Sequence, residues 1–181
     1  VKSTPLVITD TGSPDAWITY TAPDGFVVEG GDKSEAAILF KNASYVILEN
    51  LTIKGGKKHG VLIRNSNHIR LRNCNIYGYG RKGVLKNGKW YEPGAKKPNN
   101  WDAGVYIDLG EQIVVENCYV HDPRGTANSW AYGHPLGPNA VFVRAGETGG
   151  VVLRYNDFIG SVGHRWNAVV EGYVNNKPHG G

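Results

Sequence analysis

Two segments of this 181-residue chain gather side chains suited to proton chemistry near neutral pH, and a third histidine lies between them. His121, Asp122 and Arg124 share one tetrapeptide, His134 follows, and His164, Arg165, Trp166 and Glu171 occupy "GHRWNAVVEG". Histidine titrates near neutrality and serves as a general base or metal ligand. Arginine neutralises a carboxylate or a developing negative charge. A lone histidine more often pins a loop through a hydrogen bond, but several on one edge point to function. Hydrolysis of a glycosidic bond needs two carboxylates across that bond, and the candidates are Asp102, Asp108, Asp122 and Glu171.

The elements that position these residues are repeated. "YVILENLTIKG", "HIRLRNCNIYG", "QIVVENCYVHD" and "GVVLRYNDFIG" align Val46, Ile69, Ile113 and Val151, then Leu48, Leu71, Val115 and Leu153, then Ile53, Ile76, Val120 and Phe158. Apolar residues two apart specify strands. A further strand precedes each line, as in "AILFK", "GVLIR", "GVYID", "AVFVR" and "AVVEG". The repeat therefore reads as strand, short turn, strand, longer turn. A unit of roughly 23 residues cannot bury its own apolar face, so the units must stack. Val, Ile, Asn and Gly disfavour a helical repeat.

Stacking turns aligned positions into ladders about 4.8 Å apart. Asn50, Asn73 and Asn117 form one at a turn. Glu49, Arg72, Glu116 and Arg154 form an outward ladder of alternating sign. Cys74 and Cys118 fall in one column, where in-register parallel side chains rarely meet disulfide geometry, so both thiols are expected free. Glu171 falls in the inward column of Phe40, Ile63, Ile107 and Val143. A buried unpaired carboxylate is prohibitive there, so a register slip after Trp166 is expected.

Two interruptions, Gly78 to Asp102 and Asp122 to Asn139, both lead into a first strand and should wall a groove over the first-strand sheet. That sheet should present Tyr106 and Phe142 outward beside a charged stripe of Arg64, Asp108 and Arg144. Aromatic faces for sugar stacking with cations for carboxylate or sulfate are what an acidic-polysaccharide site needs. A surface ladder with Asp108 shared by two arginines explains the same residues without a ligand, and the sequence leaves both open. The interruptions add Trp90, Tyr91, Trp101, Trp130 and Tyr132 as sugar-contacting candidates beside Arg165 and Trp166.

The repeated lines, with the opening "WITYTAPDGFVVEGG", resemble the right-handed parallel β-helix of bacterial pectate-lyase-like proteins. The resemblance implies an all-β, right-handed parallel β-helix solenoid with long loop insertions on one edge. It implies a single domain over residues 1–181, a portion of a longer β-helix protein, and an extracellular, cell-surface or periplasmic location. Because this fold hosts many chemistries, it leaves two functions open. One is polysaccharide cleavage, with β-elimination on a uronate-containing glycan favoured over hydrolysis. There Arg64, Arg124 and Arg144 neutralise the carboxylate, with His121, His134 or His164 as base. The other is a non-catalytic carbohydrate-binding or structural surface protein, adhesin- or tailspike-like. Calcium could replace an arginine, although no dense acidic cluster is present to hold it, and no metal ligands are assigned. A net charge of +4 without a Lys/Arg run argues against a nucleic-acid partner, and no apolar stretch is long enough to span a bilayer.

Overall fold

The computed structural model describes residues 5–99, 101–125, 138–145, 149–160, 168–174 and 177–179. The strands follow one another around successive coils. Coil one comprises β1 (Leu6–Ile8), β2 (Ile18–Tyr20) and β3 (Val27–Gly31). Coil two comprises β4 (Ala36–Lys41), β5 (Ser44–Glu49) and β6 (Thr52–Gly55), and coil three β7 (His59–Arg64), β8 (Asn67–Arg72) and β9 (Asn75–Tyr77). A hairpin of β10 (Val84–Lys86) and β11 (Lys89–Tyr91) precedes coil four, which is β12 (Ala103–Glu116) and β13 (Tyr119–His121). Coil five is β14 (Asn139–Ala145), β15 (Val151–Arg154) and β16 (Asp157–Phe158). β17 (Ala168–Val174) adds a further rung, and β18 (Lys177–His179) pairs back on it antiparallel.

Three parallel stacks result: β1-β4-β7-β12-β14-β17, β2-β5-β8-β12-β15 and β3-β6-β9-β13-β16. The expected two strands per repeat are thus three. Each repeated line breaks in its middle, at Asn50, Asn73 or Asn117, whose φ values of 56°, 53° and 52° are left-handed. Asparagine tolerates that region better than other residues carrying a Cβ, so the chain turns there and starts the third sheet. Asn73 Nδ2 donates to Asn50 Oδ1 at 3.3 Å, one rung of the expected ladder. In coil four the first corner is a bend inside β12 at Leu109, where φ is 58°.

The inward columns are those the alternation specifies. Phe40, Ile63, Ile107 and Val143 line the first sheet, Val46, Ile69 and Ile113 the second, and Ile53, Ile76 and Val120 the third, all with 0% exposure. They form one continuous apolar cluster. Outside, Glu49 pairs with Arg72, and Glu116 with Arg154 at 2.6 Å. No helix among the described residues is long and apolar enough to cross a membrane.

The register slip is present. β17 pairs Val170 with Val143 and Glu171 with Arg144, so Glu171 takes the register position of Arg144 rather than that of the core column. Cys74 and Cys118 are both free and buried. Their strands run parallel and in register, Asn75 beside Tyr119. A hydrogen bond with Cys118, reinforced by burial, pushes the Cys74 thiol well above its ordinary value.

Leu71 is fully buried, so Leu71→Ala should lower unfolding free energy by about 2–5 kcal/mol in chemical denaturation. Thiol titration in denaturant without reductant should find both cysteines reactive. In the native state both should react slowly, because each is only 2% exposed and a reagent cannot reach the sulfur.

Candidate functional site

Both interruptions leave the solenoid at one corner, between a third-sheet strand and the next first-sheet strand. The first is closed on itself by a buried ion pair. Arg81, near its start, places Nη2 2.6 Å from Asp102 Oδ1, and its backbone N–H donates to Asp102 Oδ2 at 2.8 Å. Asp102 is 1% exposed, and burial pushes its carboxyl upward against the opposing pull of Arg81. Breaking such a pair strands a buried charge, so Arg81 and Asp102 form a clamp rather than a free acid. Between them the β10–β11 hairpin turns at Asn87-Gly88, with φ of 49° and 73°. Positive φ at both central residues of a two-residue loop matches the strand twist, which is why Asn-Gly serves there.

The clamp brings Trp101 over the first sheet, 6.4 Å from the Phe142 ring. The open aromatic platform expected from the sequence therefore does not form. Tyr106 and Phe142 do meet edge-to-face at 5.3 Å on adjacent rungs. However, they are 5% and 1% exposed, closed into a satellite cluster with Leu62, Ala36 and Ala103. An apolar sheet face gains by burial under the insertion. Beside it, Asp108 accepts from Arg64 Nε at 3.2 Å and from Arg144, while Arg64 and Lys58 also reach Glu35. The stripe is thus an ion-pair network, the ligand-free alternative left open by the sequence.

His121 projects from the third sheet, where its ring stacks on Tyr119 at 4.0 Å and Tyr77 at 5.4 Å. Its Nδ1 meets Asp122 Oδ2 and its Nε2 meets Asn75 Oδ1, each at 2.8 Å. Both ring nitrogens are committed, on a sheet other than the one bearing Asp108. Trp90 and Tyr91 lie half-buried in β11, cross-strand from Leu85 and Val84. Trp130, Tyr132, His134, His164, Arg165 and Trp166 lie outside the described residues, and Glu171 is placed by its backbone register alone.

Among the described residues a cleft of about 210 Å³ opens to solvent at the insertion corner, lined by Asp32, Lys57, Gly80, Arg81, Lys82, Glu92, Pro93 and Arg124. Of the candidates from sequence it contains Arg124, which ties the corner by donating from Nη2 to Gly56 O at 2.8 Å and pairing with Asp32. Its Nε is buried without a hydrogen-bond partner. Gly56 has φ of 87°, and a Cβ there would meet His59 O at 1.8 Å, so this corner accepts only glycine. Four cations face two carboxylates in the cleft. Among the described residues no group of three His, Cys, Asp or Glu is placed to hold a metal ion.

Sequence reasoning missed Lys57, Arg81, Lys82 and His59. A charge tally by segment would have found Arg81 and Lys82. The 78–102 insertion holds six Lys/Arg and two Asp/Glu, against 20 and 16 in the whole chain, so the remaining 14 of each sign cancel and the full +4 belongs to the insertion. His59 escaped because no other histidine shares its rung position, which Ala36 and Ala103 fill on the neighbouring coils. It lies 2% exposed on the first sheet, its ring 4.9 Å from Tyr106.

A family model described as a right-handed β-helix region matches residues 32–169. The chain belongs to the right-handed β-helix family. No curated protein and no solved structure matches it. In this β-helix protein the matched span covers coils two to five and both insertions, so membership accounts for the solenoid and by itself assigns no chemistry.

Burial, with the nearby cations Lys58, Arg81 and Arg64, holds the His59 imidazole well below its ordinary value. The native state thus keeps it neutral, while the unfolded chain protonates it below about pH 6.5. Its contribution to stability is present above that pH and is lost as pH falls. Wild type should lose about 1.4 kcal/mol per pH unit below pH 6.5 relative to His59→Gln, measured by denaturant unfolding at pH 7.5 and 5.5.

Proposed function

We propose that this β-helix protein acts on an acidic polysaccharide outside the cell, in the periplasm or at the cell surface, and that one residue of the polymer lies in the insertion-corner cleft. The observation that carries the reading is the concentration of charge. Four cations line the cleft, and the insertion forming its wall holds the chain's entire net charge. Guanidinium and ammonium groups bind carboxylate or sulfate through charge-assisted hydrogen bonds.

The chemistry this favours is β-elimination. Lys82, which has no ion-pair partner among the described residues, offsets the uronate carboxylate and so acidifies the adjacent C–H, with Arg124 and Lys57, paired with Asp32 and Glu92, flanking it. A base removes that proton, the electron pair forms a C=C bond, and the glycosidic oxygen departs with a proton from an acid. Hydrolysis is disfavoured because its carboxylates are engaged: Asp102 by Arg81, Asp108 by Arg64 and Arg144, Asp122 by His121. His134 is our candidate base. Gly125 and Pro138 both pack on Gly80 of the cleft. A non-catalytic binding protein is the second reading, favoured by the absence of any described histidine from the cleft lining.

Arg124→Gln should weaken binding to a polyuronate by roughly 10- to 100-fold, the equivalent of ~1.5–3 kcal/mol, while leaving any binding of a neutral glucan unchanged. His134→Ala should abolish release of unsaturated products, followed by ultraviolet absorbance, yet preserve affinity. Binding without unsaturated products or new reducing ends from wild type would select the non-catalytic reading. Equal binding of acidic and neutral polymers would overturn the proposal.

A further inference from the structure

We infer that the 78–102 insertion is a capture arm that makes the protein selective for long polyanionic glycans over short ones; this rests on the acidic-polysaccharide reading of the cleft. A cleft of about 210 Å³ is below the roughly 300–1,000 Å³ of sites that enclose a small molecule. It takes a fragment of a ligand, so affinity for a polymer must come from surface beyond it.

The arm supplies that surface. It rises from the cleft itself, since Arg81 and Lys82 precede β10 and Glu92 and Pro93 follow β11. Lys86 ends β10, about 10 Å along the strand from the arm's base at 3.4 Å per residue. Lys86, Lys96 and Lys97 are exposed, and among the described residues none has an ion-pair partner. Most cations on the solenoid body are instead engaged with carboxylates, as in Lys54–Glu29, Lys58–Glu35, Arg72–Glu49 and Arg154–Glu116, with Lys33 and Lys41 as scattered exceptions. The body is neutral in sum, so it neither attracts nor repels a charged chain, and the field that steers one is that of the arm. Unpaired lysines at several points along an arm suit a ligand with repeated charges. A single uronate reaches only the cleft, whereas a chain engages cleft and arm together and gains by effective concentration. Val84 and Leu85, 42% and 58% exposed beside these lysines, make an anionic membrane the competing partner. Continuity of the arm with a polar cleft favours a glycan.

The test uses the full chain and its Lys86→Gln/Lys96→Gln/Lys97→Gln variant, none of whose altered positions lines the cleft. Binding of a uronate disaccharide and of a polyuronate of some twenty residues is measured at 50 and 200 mM salt, with unfolding midpoints confirming that the variant folds. Wild type should prefer the polymer at least tenfold per chain, more so at low salt. The variant should lose most of that preference and its salt dependence while disaccharide affinity stays unchanged. A variant that keeps the full preference overturns the arm and leaves the cleft reading standing. Loss of disaccharide binding in Arg124→Gln, with polymer binding still dependent on the three lysines, supports both. Wild type that ignores polyuronate overturns both, and lysine-dependent binding to phosphatidylserine vesicles in that case transfers the arm to a membrane surface.

Discussion

Every rung of this molecule depends on the one before it, because a single coil has no interior. Its inward side chains become buried only when the next coil hydrogen-bonds to it in parallel register about 4.8 Å away. The register must hold at three sheets at once, and the left-handed asparagines enforce it where the second sheet becomes the third. A one-residue slip in one strand would send its apolar set to solvent. The same constraint aligns the free cysteines and pairs Glu49 with Arg72. At β17 it pairs Glu171 with Arg144 rather than with Val143.

Against this periodic body the first insertion is an aperiodic graft, and its attachment is electrostatic. The Arg81–Asp102 clamp joins residues 21 positions apart at the insertion's two ends. A buried ion pair contributes little net stability, but losing one partner costs several kcal/mol, so the clamp selects a geometry more than it stabilises the fold. That geometry folds Trp101 onto the first sheet and buries Tyr106 and Phe142. Closing the sheet face moves the accessible polar surface to the corner, where Arg124, Lys57 and the start of the insertion converge.

Electrostatics thus divides the molecule by role. The solenoid pairs most of its charges on neighbouring rungs, and the insertion leaves Lys86, Lys96 and Lys97 without ion-pair partners among the described residues. Pairing along a stack is cheap, because outward residues on adjacent rungs already lie within reach. A loop has no rung beneath it to supply counter-charges. The free cations therefore accumulate where the repeat is interrupted, which is also where a solenoid has room to vary without disturbing its core.

Sequence by itself determined the solenoid. Alternation at Val46 and Leu48, Ile69 and Leu71, and Ile113 and Val115 assigns each residue to a face, because strand periodicity is local and each rung repeats the message. The free thiols and the alternating ladder follow from the same alignment, and so does the displacement of Glu171. Tertiary structure alone decided the site. The order of residues contains no sign that Trp101 would cover Phe142, that Asp102 would be held by Arg81 rather than left as an acid, or that His121 would stack between tyrosines on the third sheet. Even the third sheet needed the structure, since an asparagine turn inside a strand-like line keeps the apolar alternation almost intact. Loop docking joins residues distant in sequence through contacts that occur once. With no repeat to reveal them, such contacts become legible only when the chain has folded.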